Sequence, residues 1–136
     1  MERERTARLP RTIKVEQRAI LLETLKIVPK GRVFVTEKLF DEEAQQYKEQ
    51  MLAVLKDAGF DAEEKRGPMS FGIPGQWILV NDFQHPPPHA VPLQAAFTKA
   101  GVDLDGQEQK EQVLDLDSVL IAVGSEPSAD QVSQGR

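Results

Sequence analysis

Apolar residues recur at spacings of three and four from Ile13 to Val28, through Ala19, Leu21, Leu22 and Leu25, which predicts a first helix stopped by Pro29 and Gly31. Arg32 to Thr36 then reads as a strand. Asp41, followed by Glu42 and Glu43, marks the start of a second helix, with acids at its positive end. Its apolar stripe is Ala44, Tyr47, Met51, Val54, Leu55 and Ala58; Lys48, Glu49, Lys56 and Asp57 are expected to face outward. Asp61 to Lys65 is polar and extended, as suits an edge strand. Arg66 to Gly75 is rich in glycine and proline, and Met69, Phe71 and Ile73 alternate within it as a short strand or apolar flap. Gln76 to Asn81 is nearly continuously apolar, the mark of a central strand covered on both faces. A loop with three successive prolines, Pro86 to Pro88, leads into a third helix whose inward positions are Leu93, Ala96, Phe97 and Ala100. Val102 to Leu104 reads as a short strand, Asp105 to Gln112 as a polar and mobile segment, and Ser118 to Val123 as the last strand.

Two stretches repeat one pattern. Leu55 to Asp61 (LKDAGFD) and Phe97 to Asp103 (FTKAGVD) each finish a helix with Ala-Gly, then an apolar residue, then an acid. Glycine closes a helix in the left-handed conformation without a Cβ penalty. A strand precedes each helix, so the chain carries two strand–helix–strand units. The expected fold is therefore α/β: a single domain with a mainly parallel, Rossmann-like or flavodoxin-like sheet of about four to five strands and about three helices. The competing arrangement is a ferredoxin-like α+β sandwich. Residues 1–12 form a charged arm, 13–127 the domain and 128–136 a disordered tail.

Composition narrows the function classes. A chain of 136 residues suits one core, and 40% hydrophobic with 29% charged content is that of a soluble globular protein. The net charge of −5 gives no basic face for nucleic acid. Basic residues do cluster from Arg3 to Arg18, but Glu2, Glu4 and Glu16 interrupt them. With no cysteine, disulfides, thiolate metal sites and cysteine nucleophiles are excluded. No apolar run approaches the ~20 residues of a membrane span, and the first residues lack the apolar core of a signal peptide. The expected location is cytoplasmic.

Candidate chemistry is sparse. His85 and His89 are separated by three prolines, so they do not share a helical face as a metal-binding pair would; both read as loop imidazoles on the surface. Ser70 lacks the glycine two residues earlier that a nucleophile elbow needs. Gly67, Gly72 and Gly75 have the wrong spacing for a phosphate loop. The remaining constellation is positional. In a parallel sheet, Thr36, Glu37 and Asp41 lie past the carboxyl end of the first strand, and Asn81 and Asp82 past that of the third. With Ser70 from the flap, these six form the candidate ligand-binding set, since open α/β sheets bind ligands at that edge. No catalytic residue, metal or cofactor is assigned.

Ile13 to Lys26 (IKVEQRAILLETLK) resembles a helix, begun by Glu-Gln-Arg, that opens a soluble domain in a family of uncharacterised bacterial α/β proteins. The helix end LKDAGF, the helix LQAAFTKAGV and the closing strand VLIAVGSEP follow in similar order, so the likeness covers about Ile13 to Pro127. At Lys14–Val15 the chain departs from the pattern, which places a capping residue and then proline there. In that family one or two transmembrane helices often come first. The resemblance thus implies the cytoplasmic part of a membrane-tethered protein, at the inner face of the membrane, and assigns no functional residue.

The resulting expectation is a non-enzymatic module that binds a small-molecule ligand or a protein partner, with a homodimer through the first helix as a further arrangement. The alternative is a small hydrolase or transferase acting on a nucleotide or sugar through Glu37, Asp41 or Asp82.

Overall fold

The computed structural model describes residues 10–65, 74–110, 113 and 116–126. In chain order they form α1 (Val15–Leu25), β1 (Arg32–Glu37), α2 (Glu42–Asp57), β2 (Asp61–Glu64), β3 (Gln76–Val80), α3 (Ala90–Lys99), β4 (Asp105–Glu108) and β5 (Ser118–Val123). The five strands make one sheet in the order β2-β1-β5-β3-β4. Three of its neighbour pairs are parallel, β1 with β2, β1 with β5 and β3 with β4; β3 runs antiparallel to β5. The α/β class and the mainly parallel sheet are as the sequence predicts.

Both strand–helix–strand units are present, and their repeated ends adopt one geometry. Gly59 and Gly101 sit at φ of +97° and +88°. The amide of Phe60 donates to the Leu55 carbonyl and that of Val102 to the Phe97 carbonyl, at 3.0 and 2.8 Å. Gly59 and Gly101 donate to Lys56 and Thr98. This is the paired bonding of a Schellman turn, and it buries Phe60 and Val102 against the core.

The sheet is covered unevenly. Side chains alternate across a strand. Val33 and Val35 of β1, Ile78 and Val80 of β3, and Val119, Ile121 and Val123 of β5 share one core with residues from all three helices. The opposite face carries Leu79, Leu120 and Ala122, with Val113, Phe34 and Trp77 packed around them and no described helical residue. Helices were expected on both faces. Instead, two units of the same hand carry their helices on one face with β2 and β4 outermost, and that arrangement requires the units to run in opposite directions. Strand β5 fills the space between them and is buried at all six positions. It, rather than β3, is the central strand.

Two further expectations change. Val102 to Leu104 is a connector that buries Val102 and Leu104, and the strand follows it at Asp105–Glu108, where the polar residues give no periodicity signal because the strand lies at an edge. Lys48 is buried rather than outward-facing, at 1% exposure.

Candidate functional site

Reversal of β3 divides the predicted rim between two edges of the sheet. The carboxyl end of β1 lies beside the amino end of β3, because Thr36 and Glu37 lie level with Ala122 and Val123, and Gln76 also pairs with Val123. Asn81 and Asp82 follow the other end of β3, roughly 20 Å away along a six-residue strand. Thr36, Glu37 and Asp41 therefore stand on one edge, Asn81 and Asp82 on the other. Ser70 lies outside the described residues.

On the first edge Thr36 is buried, and Asp41 and Glu37 have structural partners. The Asp41 carboxylate accepts the Ala44 amide at 3.1 Å and caps α2. Glu37 lies 3.3 Å from the Lys48 ammonium, which is also 3.0 Å from Glu64. Burial alone would depress the ammonium's pKa; the hydrogen bond to Glu64 and the charge of Glu37 outweigh it and raise the pKa above 10.5. Beside this cluster Arg11 donates to both oxygens of Glu43, to the Gln76 side chain and to the Gly124 carbonyl. Its guanidinium also lies 5.0 Å from the centre of the Tyr47 ring. Burial would raise the pKa of Glu43, but the bonds from Arg11 lower it overall. Tyr47 is raised, chiefly by burial, against the opposing charge of Arg11. The arm thus contributes a half-buried clamp at Arg11, a role that a mixed run of arginines and glutamates does not announce.

On the second edge, Asn81 donates its side-chain amide to the Val113 carbonyl at 2.6 Å. Asp82 accepts the Gln84 amide and contacts the His85 ring nitrogen at 3.1 Å. The Gln84 bond and then the His85 bond lower its pKa. Asp82 organises the turn that carries the chain toward Pro88, and Asn81 ties its start to Val113.

That turn delivers His89, which sequence reasoning placed on the surface and the structure places at 2% exposure. Its Nε2 donates to the Arg32 carbonyl at 3.0 Å, because a carbonyl only accepts. The imidazole packs against Gly31, where a Cβ would come within 2.4 Å of it, and the Phe60 ring lies tilted beside it at 6.3 Å between centres. The sequence signal was Gly31 itself, read only as a helix stop. Its partner lies 58 residues further on.

His89 and Gly31 form one wall of a cleft of about 420 Å³ at the edge where β1, β2 and β5 begin. Ser118, 2% exposed, lines it from β5, and Arg32, Asp61 and Asp117 supply charges of both signs. Arg32 and Asp61 approach to 3.7 Å. Lys30 borders the cleft but is engaged: its ammonium donates to the Leu25 and Val28 carbonyls at 2.7 and 2.8 Å, satisfying the end of α1. Among the described residues, no cluster of three histidines or acids has metal-binding geometry. No described helix is long and apolar enough to cross a membrane. Comparison with protein-family models, curated proteins and solved structures gives no match.

Proposed function

We propose that the chain is a non-enzymatic binding module whose ligand site is the cleft walled by His89 and Gly31. The observation that carries this reading is a concave volume with buried polar groups at its base and fixed charges of both signs at its mouth. A polar lining and opposed charges favour a small zwitterion over an apolar molecule. The groups in the cleft are held by backbone partners, as a preformed receptor requires: His89 by the Arg32 carbonyl and Lys30 by the end of α1. The alternative, a hydrolase or transferase acting through Glu37, Asp41 or Asp82, finds no support in the Asp41 cap, the pairing of Glu37 with Lys48 or the place of Asp82 on the other edge.

The test is a titration of the ¹⁵N-labelled chain with a panel of amino acids and betaines, followed by amide shifts. Saturable shifts at Gly31, Asp61 and Ser118 are expected, weakened in Asp61→Asn. If millimolar zwitterions leave those three amides unmoved, or move Asp61→Asn and the parent chain alike, the reading is wrong.

A further inference from the structure

The groove between α3 and the edge strand β4 has no partner among the described residues. β4 ends the sheet, so one side of its backbone pairs with β3 and the other faces outward. Gln109, just beyond it, donates its amide inward to the Val80 carbonyl. Alternation along the strand then turns the amides and carbonyls of Gly106 and Glu108 toward the free side. Gly106 is level with Ile78 and lies on the helix face, where its missing side chain leaves a cleft of about 90 Å³. Ile78 and Val80 line its floor, and Phe83 and Val91, 57% and 64% exposed, stand at its mouth. An exposed Phe and Val beside a buried apolar floor and an open ladder of backbone groups are the elements of β-strand addition.

The charges decide the occupant. Asp103, Asp105 and Glu108 are exposed along this edge. Lys99 ends α3 and Lys110 lies 3.6 Å from Glu108, so the cations flank the acids without outnumbering them. A second copy pairing edge to edge would set Asp105 and Glu108 against their own kind, which disfavours self-association. We infer that this groove docks an extended, basic segment of another protein, which adds a strand to β4 and places one small aliphatic side chain over Gly106.

The full chain, ¹⁵N-labelled, is titrated with the peptide acetyl-RVRVRV-amide and, separately, with acetyl-EVEVEV-amide. The basic peptide is expected to shift the Gly106 and Glu108 amides, slow their hydrogen exchange and bind at least about tenfold more tightly than the acidic one. Gly106→Val fills the cleft. Its Cβ meets only the Gln94 amide, at 3.7 Å, so the fold is retained, as its thermal midpoint will report. It should abolish the shifts, while Asp105→Lys should weaken the basic peptide and strengthen the acidic one. Equal binding of the two peptides, shifts that avoid β4, binding that survives Gly106→Val, or concentration-dependent shifts of the Gly106 and Glu108 amides without peptide would each overturn the inference.

Discussion

Removing Lys48 is the sharpest probe of how this fold tolerates a charge in its interior. At an effective dielectric of about 20, unit charges 3.0 and 3.3 Å apart attract by about 5 kcal/mol each. Stripping water from an ammonium offsets several kcal/mol of that gain. The side chains of Glu37 and Glu64 keep 19% and 35% exposure, so water reaches them when their partner is gone. The net cost of Lys48→Ala should therefore fall below that of breaking a fully buried pair, at about 2–3 kcal/mol, or roughly 10 °C in thermal midpoint for a chain of this length. Lys48→Met keeps the apolar stem and should lose about 1 kcal/mol less. Denaturant unfolding with unchanged slope measures both. The sign of the pH dependence follows from the raised pKa. A raised folded-state value means the ammonium's contribution is complete below its unfolded value, near 10.5, and disappears as pH rises through the folded value above it. The gap between the parent chain and Lys48→Met should hold to about pH 10 and close beyond it. A gap that is absent at neutral pH, or that persists unchanged through the alkaline range, would refute the reasoning.

Two other substitutions test the neighbouring structure. Gly31→Ala drives a Cβ to 2.4 Å from a buried ring, so it should cost about 1–3 kcal/mol and displace the His89 imidazole; unchanged stability together with unchanged His89 ring resonances would contradict the packing described. Arg11→Ala should cost about 1.5–3 kcal/mol at neutral pH, the range of hydrogen bonds to a charged group. Because Arg11 lowers the pKa of Glu43, its contribution is present above pH 4.5 and is lost as pH falls through the folded value. Acid titrations of both chains should converge, with the Glu43 carboxyl titrating at higher pH in the variant; parallel curves would rule this out.

Local chemistry was legible in the sequence. The repeated Ala-Gly stops, the Asp41 cap, the stripe of α2, the charged edge strand β2 and the span of β5 follow from rules acting within a few residues, and the helix ends adopt the bonding their glycines predict. The existence of two strand–helix–strand units was equally legible, because each unit closes its own turns. Their relative direction was not. It depends on β5, more than 80 residues from β1, entering between the units and pairing parallel with β1 and antiparallel with β3. No local propensity records that choice, which comes from burying Ser118 and the five apolar residues of β5 on both faces while all three helices share one side. For the same reason the carboxylates that seemed to share an edge were separated. The cleft formed where Gly31 met a histidine far along the chain, and Lys48 turned inward because the ends of β1 and β2 together presented two acids to it.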